Sequence, residues 1–320
     1  MTKSDVPHIS VLLREVIGIL VPKDGEVYVD GTFGAGGYSQ AILEAANCVV
    51  YGIDRDPHAI SLGRKMAEKY SGRLIMLEGC YADMEALLST KELSAVNGIA
   101  LDIGVSSMQI DEAGRGFSFM RDGPLDMRMS SKGRTAAEVV NEESEAELAR
   151  IIFVYGEERR SRAIARVVVE RRKVTPFTST VELAEAVASV VRPTGKGIHP
   201  ATRTFQALRI FVNDELGQLV KGLAASERLL TPGGRLAVVS FQSLEDRRVK
   251  NFLSARSEGR ARPSRHVPVN DEGPAPSFKL IKRGTIKARE DELAANPRSR
   301  SARLRGAIRT NAKAWDEVAA

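Results

Sequence analysis

At 320 residues the chain is long enough for about two domains, and a hydrophobic share of 43% is ordinary for a protein with a buried core. A net charge of +6 favours a polyanionic partner but says nothing of fold. Cys48 and Cys80 form no disulfide framework and no metal-ligand spacing, which points to a reducing cytoplasm; residues 16–21 are too short an apolar run to span a bilayer, and Arg14 and Glu15 argue against a signal peptide.

Apolar residues at helical spacing from Val11 to Leu20, stopped by Pro22, predict a helix packed on a sheet. His8, just before it, reads as a surface or capping histidine rather than a ligand contact. The β-branched run at 27–30 then ends in Asp30 and enters a turn holding Gly31, Gly34, Gly36 and Gly37, after which Ile42 and Leu43 open a helical pattern. Strand, glycine turn and helix is how a parallel α/β sheet builds a ligand crevice at its carboxyl edge. A plain βα turn needs one glycine at most, so the density here favours a ligand. Residues 48–53 read as a second strand ending in Asp54, an acid placed to accept both hydroxyls of an adenosine ribose. Nicotinamide cofactors and S-adenosylmethionine (SAM) both carry that ribose. The dinucleotide fingerprint requires a third glycine where Ser39 stands, which favours SAM.

Residues 57–70 form a predicted helix, and 74–77 a third strand running into Glu78, Gly79, Cys80 and Tyr81. Tyr81 is either a stacking partner for adenine or a core tyrosine; the residues alone leave both open. Residues 98–107 read as a fourth strand closed by Asp102. Asp30, Asp54 and Asp102 thus end three strands at one edge, which suits a cationic sulfonium and ammonium and repels a pyrophosphate. The fifth strand is then delayed. Residues 105–205 are mostly helical and separately organised, beginning with a glycine- and arginine-rich loop at 109–129. Arg159, Arg160, Arg162, Arg166, Arg171, Arg172 and Lys173 form either a phosphate-binding face or a solvated one paired with Glu157, Glu158 and Glu170. Ser179 and Glu182 make a capping box. Residues 199–210 are read as the return to the sheet domain, 216–230 as an amphipathic helix ended by Thr231-Pro232-Gly233-Gly234, and 235–241 as strand five. The proline-rich stretch 255–277 reads as a surface loop, and 278–281 with 302–308 as the closing antiparallel pair. The basic segment 296–313 is either a polyanion site or a charge-protected edge.

The motifs Asp-Gly-Thr-Phe-Gly-x-Gly-Gly from Asp30, Ile-Asp-Arg-Asp-Pro from Ile53, Leu-Asp-Ile-Gly-Val-Ser-Ser from Leu101 and the long arginine-rich run from Arg115 to Met129 resemble the MraW family of ribosomal small-subunit methyltransferases. Tyr-Gly-Glu-Glu-Arg from Tyr155, the run His-Pro-Ala-Thr-Arg-Thr-Phe-Gln from His199 and Ser-Leu-Glu-Asp-Arg from Ser243 extend the resemblance to nearly the whole chain. It implies an α/β fold: a class I SAM-dependent methyltransferase (Rossmann-like) sheet in residues 1–104 and 206–320, with a mainly helical substrate-recognition domain, 105–205, inserted after strand four. It implies a SAM-dependent enzyme that methylates the exocyclic 4-amino group of a cytidine in the 16S rRNA of the small ribosomal subunit. Carried over residue by residue, cofactor contacts fall on Gly36, Gly37, Tyr38, Asp54, Tyr81, Asp102 and Gln109, with no metal. Two positions depart from the family pattern. Tyr38 stands where histidine is common, so only a backbone contact carries over, and Gln242 replaces a histidine that would otherwise be a candidate general base.

In-line transfer from a sulfonium needs nitrogen, methyl carbon and sulfur held at near-attack distance. Asp102, or a carbonyl in the loop after it, is the candidate acceptor for an N–H of the cytosine amine, and Phe117 or Phe119 the candidate to stack on an unstacked base. The competing readings are another SAM-dependent RNA methyltransferase, a nicotinamide-dependent oxidoreductase, separable by cofactor calorimetry, and a non-catalytic ribosome-binding assembly factor, which would show no turnover.

Overall fold

A computed structural model describes residues 10–130, 132–192, 199–258 and 274–316; His8 and most of the proline-rich stretch lie outside them. The chain divides into two compact units, Met1–Gly104 with Leu216–Ala320, and Val105–Glu215.

The first unit is built on seven strands: β1 (Val27–Asp30), β2 (Val49–Asp54), β3 (Leu74–Glu78), β4 (Val96–Asp102), β5 (Leu230–Ser240), β6 (Phe278–Leu280) and β7 (Arg303–Arg309). They lie in the order β3-β2-β1-β4-β5-β7-β6. Strands β1 to β5 are mutually parallel, and β7 is antiparallel to both its neighbours. This is the class I sheet the motifs imply. Adjacent residues serve opposite faces, as a pleated strand requires. Val29, Ile99 and Val238 pack with Leu219, Leu223 and Leu253 on one side, while Tyr28, Ala100 and Val239 pack with Leu12, Val16 and Ile42 on the other. Burial on both faces explains why these strands read as continuous apolar runs. The chain order reverses between β1 and β4, so their carboxyl ends form the topological switch point where such sheets bind ligands.

Two expectations change here. Thr231-Pro232-Gly233-Gly234 does not follow the helix Glu215–Leu229 as a separate turn; it is a bulge inside β5, where pairing with β4 slips from Val96–Leu230 to Gly98–Arg235. The basic segment at 296–313 is not a sheet edge, and three of its arginines are engaged within the fold. β7 lies between β5 and β6, Arg303 and Arg305 are bound to Asp246, and the Arg309 guanidinium donates to the carbonyls of Glu227 and Ser277.

The second unit is helical. Its core joins Val139, Ile151, Ile164 and Val187 to Leu125 and Met127 of the long arginine-rich loop. Phe205, Ala207 and Leu208 belong to the same core, so residues 199–210 do not return to the sheet domain: the unit runs to Glu215, past the expected boundary at 205. Ser179 and Glu182 form the capping box read from the sequence. The loop that carries the most specific motif holds itself in place. Arg115 donates to the carbonyls of Arg128 and Met129, Arg128 grips Asp126 through two hydrogen bonds of 2.7 and 2.8 Å, and Asn213 bonds Met127 and Met129. Phe119 stacks on His199 at 4.5 Å and meets Phe205 edge-on, so that ring is committed within its own unit.

Candidate active site

The glycine turn after β1 is shaped by the acid that precedes it. Asp30 is fully buried, and its carboxylate accepts the Thr32 N–H at 3.3 Å, the Ser39 N–H at 3.2 Å and the Ser39 hydroxyl at 2.8 Å. Asp30 therefore closes the turn onto the following helix, Gly37–Ala45, rather than facing a ligand. Burial lifts its pKa to about 6 against the pull of the Ser39 bonds. Replacing Asp30 by alanine strands those donors in the core; urea unfolding should show a loss of about 1–3 kcal/mol, and an unchanged midpoint would contradict this role.

Gly36 caps the helix in the left-handed region, at φ 81°, and a Cβ there would come within 2.5 Å of the Phe33 ring. At Gly37 a Cβ would lie 1.9 Å from the Ser10 hydroxyl. Gly36 thus requires glycine for conformation, and a side chain at Gly37 would displace the Ser10 hydroxyl. The Gly37 and Tyr38 amides open the helix with no hydrogen-bond partner among the described residues. The Tyr38 side chain points inward, its hydroxyl donating to the Val11 carbonyl at 2.5 Å, so only its backbone is placed for a ligand.

Asp54, at the end of β2, accepts the Gly34 N–H at 2.8 Å and the Asp56 N–H at 2.9 Å. Each carboxylate oxygen retains a second lone-pair direction. Burial raises the Asp54 pKa, partly offset by those two amides. Tyr81 follows β3 in a short 3₁₀ turn, half-buried. Its Cβ lies beside Gly31 and one edge of its ring against Gly222, where a Cβ would sit 2.4 Å from it; that edge is core packing.

Asp102 ends β4. Its amide donates to the Thr32 hydroxyl at 2.7 Å, and its carboxyl atom Oδ1 is buried without a hydrogen-bond partner. Burial, then the negative charges of Asp30 and Glu245, push its pKa up to about 8. Asp102 is thus largely a neutral acid at pH 7, able both to donate and to accept. Glu245 was not singled out from the sequence. It accepts the Phe241 and Gln242 N–H groups at 3.0 and 3.1 Å and fixes the turn after β5. Its signal was present as a glutamate three residues into a helix start. Gln242 Oε1 is also buried and unpartnered. Gln109 belongs to the helical unit, where its side chain accepts the Ser106 N–H at 3.1 Å.

The model of the MraW methylase family matches residues 5–310. The chain belongs to the MraW methylase family. A relative from Paramagnetospirillum magneticum is 60% identical over 316 residues, covering 98% of this chain and 99% of its own. One from Rhodospirillum centenum is 60% identical over 307 residues, covering 96% and 93%, and one from Nitrobacter winogradskyi is 56% identical over 319, covering 100% and 96%. Each is named a ribosomal RNA small subunit methyltransferase H. In this MraW methylase the acids at the strand ends divide by role: Asp30 holds the turn onto the following helix, Asp54 holds it through the Gly34 and Asp56 amides, and Asp102 alone of the three carries a buried, unsatisfied carboxyl oxygen.

Proposed function

We propose that this protein transfers a methyl group from SAM to the exocyclic 4-amino group of a cytidine in 16S rRNA of the small ribosomal subunit. The observation that carries the reading is the unpartnered Asp102 carboxyl at the switch point of a MraW methylase sheet. The relatives' shared name supports the RNA, and the cytosine amine is what the family resemblance implies. The Gly37 and Tyr38 amides suit the cofactor's carboxylate, Asp54 its ribose hydroxyls, and the outer face of Tyr81 its adenine. SAM supplies the activated methyl group. Asp102 accepts an N–H of the target amine and helps localise a lone pair otherwise delocalised into the ring. No lysine lies beside residues 30–38, 54, 81 or 102–109 in the sequence, which disfavours a ribose hydroxyl as acceptor. A reducing cytoplasm, where small subunits assemble, is the proposed setting.

Small subunits incubated with methyl-labelled SAM, then digested to nucleosides, test this. Label is expected on the cytosine base at one position; label on ribose would sink the chemistry, and no label on any RNA would favour an assembly factor.

The RNA-binding face is proposed for the helical unit, on arginines that structure leaves available. Arg172 donates to the Val140 carbonyl, Arg171 lies over the Phe177 ring and Lys173 pairs with Glu170. Arg159, Arg160 and Arg162 are exposed and have no ion-pair partner among the described residues. Reversing these three to glutamate should weaken RNA binding and lower the slope of log K against log salt by about 0.7–0.9 for each phosphate no longer neutralised. SAM affinity should hold. An unchanged salt slope would move the RNA face elsewhere.

A further inference from the structure

Asp102 sits among charges of its own sign. Asp30 faces it from the end of β1 and Glu245 from the start of the helix after β5, and both raise its pKa. The buried Tyr38 phenol, on the helix after β1, is close enough to feel the Asp102 charge and is itself held neutral. No cation contributes to its titration among the described residues. Its Oδ1 has no hydrogen bond, and its backbone is fixed by Thr32 and by the β4–β5 ladder, in which Asp102 is paired with Val239. A carboxyl so placed lacks a hydrogen-bond partner and has no opposite charge acting on it among the described residues.

We propose that Asp102 carries the proton of the methyl-transfer reaction: the sulfonium of SAM ionises it on binding, and it recovers a proton from the amine once the sulfonium is gone. The inference rests on the cofactor reading above. The step balances. The amine nitrogen forms a bond to the methyl carbon, the S–C bond breaks with its electron pair to sulfur, and the N–H proton passes to the Asp102 carboxylate. Sulfonium and carboxylate enter as a charge pair; thioether, acid and methylated amine leave neutral. An opposite charge within about 4–6 Å lowers a carboxyl pKa by about 1–3, enough to take Asp102 from about 8 to neutrality or below. Once the charge is gone the same burial and the same two acids restore the proton. Gln242, an amide that cannot titrate, leaves this task to Asp102. One consequence is discrimination: S-adenosylhomocysteine, the neutral product, gains nothing from an ionised Asp102 and competes less as pH rises.

Calorimetry of SAM and S-adenosylhomocysteine binding to the full chain, in two buffers of different ionisation enthalpy, tests this without turnover. At pH 7 SAM should release about one proton and the product far less. SAM affinity should rise up to about tenfold per pH unit between pH 6 and 8 and then level, while product affinity stays flat. An α-amino group titrates near pH 8, so the ligand contributes protons of its own; these survive in Asp102→Asn, and the difference between the two proteins reads Asp102. Asparagine copies the neutral acid that the folded chain already holds. Glu245→Gln keeps an acceptor for the Phe241 and Gln242 amides but removes one like charge, and should shrink the release. SAM binding with equal proton release in wild type and Asp102→Asn overturns the inference and leaves the cofactor reading intact. Failure of the wild type to bind SAM removes the cofactor reading, and this inference with it.

Discussion

Asp102→Asn is expected to lower the single-turnover rate of methyl transfer by about 10²–10⁴, the usual contribution of a positioned acid or base. Saturating SAM and small subunits keep binding out of the measurement. The asparagine still offers an oxygen to one N–H of the amine but cannot take its proton, so the loss should grow as pH rises from about 5 to about 7, the range into which a lowering of about 1–3 brings the SAM-bound carboxyl, and then level. A rate within about threefold of wild type would remove Asp102 from the chemistry, since the expected loss is at least about a hundredfold. The same variant carries a stability test of opposite sign. The folded pKa of Asp102, about 8, lies well above the 3.8 of an ordinary aspartate. Below about pH 4 both folded and unfolded chains hold the proton and there is no penalty. Between about pH 4 and 8 the folded chain binds more protons than the unfolded one, so stability falls as pH rises, by at most about 1.4 kcal/mol per pH unit. Asp102→Asn escapes this and should be the more stable protein in urea at pH 8, with the difference shrinking towards pH 4. A less active but more stable variant is the pattern of a strained functional group.

Asp54→Ala should weaken SAM binding by about 10²–10⁴-fold. Two ribose hydroxyls donate to the carboxylate in the proposed mode, and hydrogen bonds to a charged group contribute about 1.5–3 kcal/mol each. Asp54 also holds the Gly34 and Asp56 amides, so a general loosening of the turn would weaken binding too. A SAM analogue without the 2′-hydroxyl separates the two causes. Against the wild type it should lose one charged hydrogen bond; against Asp54→Ala it should lose little more than SAM itself does. If the analogue's penalty were the same in both proteins, Asp54 would be a structural residue of the turn and the ribose would need another acceptor.

Chemistry at the switch point was legible from local pattern. A β-branched run, a glycine-dense turn and an acid at each strand end are consequences of backbone geometry that a linear sequence records: the left-handed turn at Gly36 calls for glycine, and a parallel strand buried on both faces must be apolar throughout. The sequence by itself therefore determined the sheet with its closing antiparallel pair, the capping box at Ser179, and the placement of Asp54 and Asp102 at strand ends. Through its motifs it also determined the family. Tertiary structure alone decided what each polar group does, because a side chain's role depends on which partners reach it in space. Asp30, Asp54 and Asp102 look equivalent along the chain, yet Ser39 consumes the first, Gly34 and Asp56 share the second, and the third is left buried beside Glu245, more than a hundred residues away in sequence. The same physics reassigned the arginines. Those at 115, 128, 172, 303, 305 and 309 found carbonyls and carboxylates in their own fold, while Arg159, Arg160 and Arg162 remained for solvent or a partner. Composition counts charges, but only packing decides which of them are already neutralised.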